Sequence, residues 1–147
     1  MIFSKDSRVL QLKVPITING KQIKTEPHTK FLGLTLDSKL TYNQHVKQIQ
    51  DSCKPKINLL TRRSLTGTTF GANKKTLLRL YTTLIRPKIN YAYPVLHTAS
   101  KTNQNKLEVI QNTCLRIATG AMPSTKIAAL QQECGIPPLH IHRKQLI

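Results

Sequence analysis

The six carboxylates are the side chains that could bind the paired metal ions of a nucleotidyl transfer reaction. Such chemistry needs two or three carboxylates that converge on the cations. The acidic residues are Asp6, Glu26, Asp37, Asp51, Glu108 and Glu133. No two of them lie close together on one element, and none stands in a double-acid motif. Asp37, at a predicted strand end, is the best single candidate, but its position before a helix favours a turn residue.

The histidines and cysteines offer little more. Cys134, His140 and His142 could supply three zinc ligands, but structural zinc sites usually have four with paired spacing. The two histidines are therefore predicted to be surface residues beside nucleic acid. Cys53, Cys114 and Cys134 are odd in number and far apart, which favours free thiols in a reducing compartment. The phosphate-binding loop, the nucleophile elbow and the dinucleotide fingerprint are absent from the sequence. We therefore expect no metal, no cofactor and no small-molecule substrate for this chain.

Positive charge is the strongest signal in the composition. The chain has 23 Lys and Arg against 6 Asp and Glu, which gives a formal net charge of +17 at pH 7. The Lys and Arg residues are scattered along the chain. This distribution predicts a folded cationic surface that binds a polyanionic partner, namely nucleic acid. A membrane partner is disfavoured because no helix has a strong apolar face bordered by Trp or Phe.

The basic residues cluster at helix starts and loops. The candidate nucleic-acid-binding residues among them are Lys54, Lys56, Arg62, Arg63, Lys74, Lys75 and Arg79. They could follow a phosphate backbone, which gives affinity without sequence reading and a steep dependence on salt. The alternative is a solvated helix face, which the shortage of acidic partners makes the weaker interpretation.

At 147 residues the chain has the length of about one domain. No apolar run approaches the roughly 18 residues of a membrane span. The N-terminal MIFSKDSRV lacks the charged and apolar regions of a secretory signal. We therefore expect a soluble, intracellular protein.

Residues 1–37 show the pattern of strands. The segments MIF, VPITI and KFLGLTL are the predicted strands, and the turn signal NGK at 19–21 predicts a tight hairpin. Val14, Ile16 and Ile18 alternate with other residues, so one face of the second strand is apolar. Phe31, Leu32, Leu34 and Leu36 are denser, which is typical of a strand covered on both sides.

After Asp37 the apolar spacing changes to that of a helix. Thr41 and Gln44 have the spacing of a capping box. One predicted helical face consists of Tyr42, Val46, Ile49, Cys53, Ile57 and Leu60. Pro55 lies inside this pattern and lacks a backbone donor, so it predicts a kink or a break into two helices.

Further helices follow along the chain. Asn73 is a predicted cap, followed by an inner face of Leu77, Leu80, Tyr81 and Leu84 and by Pro87, which should end or bend the helix. Ser100 or Thr102 should cap a third helix with the face Leu107, Ile110, Cys114 and Ile117, stopped by Gly120. A shorter helix is predicted over 124–134, closed by Gly135, and Pro137 and Pro138 should begin another. The predicted fold class is α+β: a small antiparallel β-sheet or hairpin at the N-terminus, then a mostly α-helical bundle.

Three stretches of the sequence carry a family resemblance. They are KFLGLTLDSKLTYNQHV, LYTTLIRPKINYAYPVLHTASKTNQNKLEVIQNTCLRIATGA and ALQQECGIPPL. In this order they resemble the C-terminal palm and thumb portion of the reverse transcriptase of non-LTR (LINE-type) retrotransposons, especially the jockey-like clade. The resemblance covers nearly the whole chain.

The resemblance implies a division of the chain by function. Residues 1–40 correspond to the end of the polymerase palm, in which Phe31, Leu32 and Gly33, preceded by Lys30, match the primer grip that positions the primer's 3′ end. Residues 41–120 correspond to the thumb, which holds the template-primer duplex. Residues 121–147 correspond to a truncated connecting region.

The family's catalytic motifs are missing from this sequence. Its catalytic aspartates, including the Y-x-D-D turn, lie in motifs that this chain does not contain, so the resemblance implies Mg²⁺ only for the complete polymerase and no polymerase activity for this chain alone. Pro55 also departs from the better helix formers of relatives. We expect a truncated element copy or a gene product that begins at an internal methionine.

Two alternatives to this function remain open. The segment TKIAALQQECGIPPLHIHRKQL resembles a helix-turn-helix, which would make the chain a separate basic DNA-binding module. The other alternative is a relic of an element without function.

Overall fold

Two short β-hairpins form near the N-terminus of the chain. The computed structural model describes residues 1–6, 8, 16–24, 26–65 and 72–145. Strand β1 (Ile16–Ile18) pairs antiparallel with β2 (Lys21–Ile23). Asn19 and Gly20 connect them with φ angles of 51° and 76°, the two positive values that a type I′ hairpin turn requires. The hairpin predicted from NGK is therefore confirmed.

The second hairpin uses the same turn with a less suitable residue. Strand β3 (His28–Phe31) pairs with β4 (Leu34–Asp37) in a separate two-stranded sheet. Its connecting residues Leu32 and Gly33 have φ angles of 45° and 79°. A bulky leucine in the left-handed region is sterically unfavourable, whereas Asn19 tolerates it.

Some of the strand predictions are wrong, and one lies outside the described residues. Residues 1–3 form no strand, and the backbone N–H of Ser4 donates to the carbonyl of Ser38 beyond β4. All of β3 is exposed, so the prediction that Phe31 lies in a strand buried on both faces is wrong. A hairpin of two strands cannot bury both of its own faces. Val14 lies outside the described residues.

The remaining elements are helical, and the α+β class is confirmed. The helices are α1 (Asn43–Leu65), α2 (Lys74–Leu80), a π-helical segment (Tyr81–Ile85), α3 (Arg86–Asn90), α4 (Tyr93–Leu96), α5 (Lys101–Thr119), α6 (Ile127–Cys134) and α7 (Leu139–Lys144). The chain divides into two compact units, Met1–His45 and Val46–Ile147. In the second unit, α2 packs against α5, and α5 packs against α6.

Helix α1 runs through Pro55 without interruption, so the predicted break is wrong. Pro55 and Asp51 lie on the exposed side of the helix, where water can satisfy the carbonyl that loses its donor. The predicted capping box is also wrong, because the helix begins at Asn43 and the hydroxyl of Thr41 donates to Asp37 instead. The predicted inner face is confirmed, with Val46 and Cys53 almost fully buried.

Replacing Pro55 with alanine should stabilise the helix. The substitution restores one backbone hydrogen bond and removes a steric clash, so the free energy of unfolding should rise by roughly 1–3 kcal/mol. Urea unfolding of the full chain measures this change. Lys54→Ala, one residue away on the same exposed side, serves as the matched control and should change stability by less than about 0.5 kcal/mol. An unchanged midpoint in Pro55→Ala would show that the helix carries no penalty at this position.

The π-helical segment changes which residues of the next helix face inward. Leu77, Tyr81, Ile85 and Ile89 are buried, four residues apart, whereas Leu84 is 39% exposed. The prediction that Leu84 lies inside is therefore wrong. One wide π turn adds a residue to the helical repeat and moves the buried position from Leu84 to Ile85.

Pro87 lies just after the π-helical segment, in the first turn of α3. A proline ring clashes with the carbonyl four residues before it, and a locally wider turn relieves that clash. The helical path therefore continues to Asn90. Of the two predicted effects of Pro87, to end or to bend the helix, the first is wrong.

The local signals give correct boundaries for most of the helices, but the helix predicted over 124–134 begins three residues later, at Ile127. The side chain of Asn73 accepts from the backbone N–H of Thr76 at 2.9 Å, and Ser100 caps α5 in the same way at 3.4 Å. Gly120 and Gly135 end α5 and α6 in the left-handed conformation. Pro138 directly precedes α7. The two predicted N-caps, Asn73 and Ser100, and the two predicted C-caps, Gly120 and Gly135, are confirmed.

The three cysteines are free, as predicted. Burial raises the pKa of Cys53, and burial together with the neighbouring Cys53 raises the pKa of Cys114 to about 12. Both thiols are therefore neutral, packing side chains at pH 7. Within the described ranges, no helix has the length and apolar character that crossing a membrane requires.

Candidate nucleic-acid interface

The 30–33 turn presents apolar side chains to solvent. Phe31 is 61% exposed and Leu32 is 75% exposed, and Lys30 beside them is exposed too. The positive φ angles of Leu32 and Gly33 reverse the chain within two residues. Strain of this kind, with exposed apolar groups, is typical of a segment shaped for a contact rather than for local stability.

A carboxylate holds the chain that follows this hairpin. Asp37 Oδ2 accepts from the backbone N–H and the hydroxyl of Thr41 at 3.0 and 2.9 Å, and Oδ1 accepts from the N–H of Tyr42 at 2.8 Å. Leu40 and Tyr42 both have positive φ angles, 52° and 59°. Asp37 is therefore a turn residue, as predicted, and its hydrogen bonds stabilise an unfavourable backbone path.

Replacing Asp37 with alanine should destabilise the fold at pH 7 by about 2 kcal/mol, because three donors lose a charged acceptor. Partial burial raises the pKa of Asp37, but the bonds from Thr41 and Tyr42 outweigh it and lower the pKa below 3.8 overall. The carboxylate thus contributes stability above its unfolded pKa, and this stability is lost as pH falls through the lower folded pKa. Urea unfolding from pH 7 to pH 2.5 measures both effects.

The matched control is Asp37→Asn, which keeps one acceptor oxygen and should recover about half of the lost stability. A difference between wild type and Asp37→Ala that stays constant down to pH 2.5 would contradict the assigned role of the carboxylate.

The basic residues on α1 differ in their availability. Lys54 forms an exposed ion pair with Asp51 at 2.7 Å, and Lys56 donates to the carbonyl of Leu84 at 2.9 Å. Arg62 and Arg63 occupy the last turn of the helix and are exposed. Lys56 and Arg63 are seven residues apart, so they lie on the same face of the helix. They are separated by about 10 Å along the helix axis.

Helix α2 brings two of the predicted cations together. Lys75 and Arg79 are four residues apart on the exposed face and line an open cleft of about 240 Å³ together with Asn73 and Thr76. We call this site the α2 cleft. Lys74, in contrast, is held by the carboxylate and the carbonyl of Glu133 at 2.7 and 3.0 Å.

The α2 cleft adds two polar residues to the sequence-based set. Asn73 was predicted only as a helix cap, and Thr76 was not singled out. Asn73 and Thr76 are three residues apart, which is the spacing of a helix N-cap and the residue whose backbone N–H it accepts from. This spacing predicts the start of the helix next to Lys75, but it does not indicate that the two residues line a cleft.

The charge in the described part of the chain is poorly compensated. Its ion pairs include Lys54 with Asp51, Lys74 with Glu133, and His140 with Glu108. With 23 Lys and Arg against 6 Asp and Glu, most cations cannot have carboxylate partners. Among the described residues, no three His, Cys, Asp or Glu side chains are grouped to hold a metal ion. The described part of the chain therefore carries a large excess of positive charge.

The relatives of the chain are RNA-directed DNA polymerases of mobile elements, which confirms the resemblance found in the sequence. Four curated proteins match it significantly. No family model matches the chain, and neither does any solved structure.

All four of these relatives come from fruit flies. The chain is 27% identical to the RNA-directed DNA polymerase from mobile element jockey of Drosophila melanogaster over 124 residues, 84% of this chain and 13% of that protein. It is 29% identical over 124 residues to the jockey polymerase of Drosophila funebris, with the same coverage. It is 29% identical over 109 residues to the probable polymerase from transposon BS of Drosophila melanogaster, 71% of this chain and 11% of that protein. The chain thus spans only a small part of the length of its relatives.

Proposed function

We propose that this chain is the part of a retrotransposon reverse transcriptase that holds the template-primer duplex. In this proposal the 30–33 turn acts as the primer grip, and the basic surface of α1 and α2 acts as the thumb. The relatives' names support a role in RNA-directed DNA synthesis. The observation that carries the duplex-binding role is the α2 cleft, where Lys75 and Arg79 stand side by side on an exposed helix face.

The composition of the α2 cleft fits a phosphate backbone. Lys75 and Arg79 supply charge, and Asn73 and Thr76 supply polar atoms next to them. Phosphate contacts fix the position of a protein on a duplex without reading its sequence. A polymerase needs this property because it must hold every template in turn.

The shape of the 30–33 turn fits a contact with a primer end. The exposed rings and methyls of Phe31 and Leu32 offer apolar surface to a sugar or base, and Gly33 has no side chain to keep the backbone away. We further propose that the chain provides no catalytic carboxylate and binds no Mg²⁺ of its own, so the metal acts only in the complete polymerase.

The test is a binding measurement on a 20-base-pair duplex with a recessed primer end. Contact with roughly five phosphates predicts a slope of about −4.5 in a plot of log K against log salt concentration, independent of sequence. Fluorescence anisotropy between 50 and 300 mM salt measures this slope. Absence of binding at 50 mM salt, or affinity that does not change with salt, would overturn the proposal.

The primer grip is tested separately by Leu32→Asn. Asparagine tolerates a positive φ angle better than leucine, so this variant should be more stable by about 0.5–1 kcal/mol. It should nevertheless bind the recessed primer end more weakly than wild type, while affinity for a blunt duplex stays within about two-fold. Equal affinity for the recessed end in both proteins would remove the assigned role of the turn.

A further inference from the structure

A second cleft of about 320 Å³ lies among α4, α5 and α7 of the C-terminal unit. Its lining includes Tyr93, His97, Lys101, Glu108, Arg143 and Lys144. We call it the C-terminal cleft. His140, predicted from the sequence to lie beside nucleic acid, also lines it. None of the basic residues predicted to bind nucleic acid does, and the duplex-binding role does not explain the cleft.

A buried cation forms part of this cleft. Arg143 is only 3% exposed, and its Nη2 donates to the carbonyl of Ile89 at 2.7 Å. Its guanidinium lies over the ring of Tyr93, 4.9 Å from the centroid. In the described part of the chain, no carboxylate lies within ion-pair distance of Arg143. Burial lowers the pKa of Arg143 to about 10, so it is charged at pH 7. Glu108, in the same cleft, attracts this charge and thereby partly raises the pKa of Arg143, but it forms no ion pair with it. A buried charge without a direct ionic partner is unfavourable, and an anion in the cleft would offset that cost.

The rim of the cleft adds further positive charge. Lys101, at the start of α5, and Lys144, at the end of α7, are both exposed. The carboxylate of the cleft, Glu108, already contacts Nδ1 of His140 at 3.0 Å. The cleft therefore has more cations than anions, and an entering phosphate would meet Arg143 and both lysines.

The same cleft offers groups suited to a base. The exposed ring of His97 stands edge to face on Tyr93, with 5.7 Å between centroids. The side-chain amide of Gln104 is fixed because its Nε2 donates to the carbonyls of His97 and Ala99 at 2.9 and 3.1 Å. Unpaired bases are typically bound by stacking on such rings and by hydrogen bonds to polar side chains.

We propose that the C-terminal cleft takes one unpaired nucleotide of the bound nucleic acid, with its phosphate on Lys101, Arg143 and Lys144 and its base beside His97. This inference rests on the proposed binding of nucleic acid and adds a preference for a single-stranded segment. A volume of about 320 Å³ lies at the lower end of pockets for small ligands, about 300–1,000 Å³. That size suits one nucleotide. The bases of a duplex cannot enter the cleft because they are stacked inside the double helix.

The test compares two fluorescent DNA hairpins, one blunt and one with four unpaired thymidines at its 3′ end. Wild type should bind the second hairpin about five-fold more tightly. Lys101→Gln/Lys144→Gln, which alters only exposed side chains, should abolish that preference while changing affinity for the blunt hairpin by no more than about two-fold. The matched control, Lys21→Gln/Lys126→Gln, removes the same charge from exposed lysines elsewhere and should keep the preference. Circular dichroism checks that both variants fold.

A second measurement locates the nucleotide directly. A 4-thiothymidine in the unpaired segment should crosslink under ultraviolet light to the peptide that carries Tyr93 and His97, as read by mass spectrometry. Loss of the preference in both double variants, or crosslinks confined to other peptides, would overturn the inference while leaving duplex binding intact. Wild type that binds neither hairpin would overturn duplex binding and the inference with it.

Discussion

The double substitution Lys75→Gln/Arg79→Gln should weaken the binding of a DNA duplex about 60-fold at 0.1 M monovalent salt. Each phosphate contact on such a duplex contributes a factor of about 10^0.9 at this salt concentration, because it releases roughly 0.9 counterions. Losing two contacts therefore multiplies to a factor near 60, and the slope of log K against log salt should become less steep by about 1.8. Lys75 and Arg79 are exposed on α2, so the variant should fold normally.

A control with equal charge separates a local site from the general field of a basic protein. Lys21→Gln/Lys126→Gln lowers the net charge by the same amount but leaves the α2 cleft unchanged. We expect it to weaken binding by less than about five-fold, with a slope close to that of wild type. Equal losses in the two double variants would mean that the whole charge of +17 attracts the duplex without a defined interface. Lys74→Gln tests the same point, since its ion pair with Glu133 already limits its contact with phosphate.

Local signals explain the parts of the fold that the sequence predicts well. The Asn19-Gly20 turn, the Asn73 and Ser100 caps and the glycines that end α5 and α6 each depend on a few neighbouring residues. Helix α1 likewise follows from its apolar spacing, because Val46, Ile49 and Cys53 lie on one face under any helical arrangement. Such features need no knowledge of distant contacts.

The incorrect predictions involve positions where distant or cooperative effects decide. Ile85 rather than Leu84 is buried in the core because of one π turn. The spacing of apolar residues does not reveal that turn. Phe31 has an apolar side chain of the kind that is usually buried. It is exposed because its hairpin has only two strands. Nothing in the sequence distinguishes Arg143 from the other cations, although it is buried and donates to the carbonyl of Ile89, 54 residues away.

The candidate site was predictable in its residues more than in their arrangement. The clusters of basic residues point to positions such as Arg62 and Lys75, which the structure places at the surface, and the binding of phosphate by them stays a prediction. The spacing of Asp51 and Lys54 on one helix is enough to indicate their ion pair. The partner of Lys74 could not be found in this way, since Glu133 lies 59 residues away along the chain. Nor could the sequence reveal the C-terminal cleft, which three separate helices form together.

A buried polar chain joins the helices that carry these two clefts. The hydroxyl of Tyr81, at the π-helical segment after α2, donates to Oε1 of Gln111 on α5 at 2.8 Å. Nε2 of Gln111 then donates at 3.0 Å to the carbonyl of Pro137, just before α7. Tyr81 is 0% and Gln111 is 1% exposed. Burial raises the pKa of Tyr81 well above its usual value, so its hydroxyl is a neutral donor at physiological pH.

Replacing Gln111 with leucine should lower the free energy of unfolding by about 2–4 kcal/mol. The apolar side chain has a similar volume, but it leaves the buried Tyr81 hydroxyl and the part-buried Pro137 carbonyl without their partner. An unsatisfied group costs roughly 1–3 kcal/mol when it is buried. Urea unfolding measures the loss. Gln132→Leu, the same substitution at an exposed position of α6, should change stability by less than about 0.5 kcal/mol.

The double variant Tyr81→Phe/Gln111→Leu distinguishes the hydrogen bonds from packing. Removing both partners of the 2.8 Å bond eliminates one of the two unsatisfied groups, so the double variant should be more stable than Gln111→Leu alone by about 1 kcal/mol. The Pro137 carbonyl stays unsatisfied in both, and α7 should therefore remain less firmly held. Because α7 carries Arg143 and Lys144, both variants should lose the preference for the unpaired hairpin end, whereas Gln132→Leu should keep it. Stability losses that simply add in the double variant would show that Gln111 acts only by filling space.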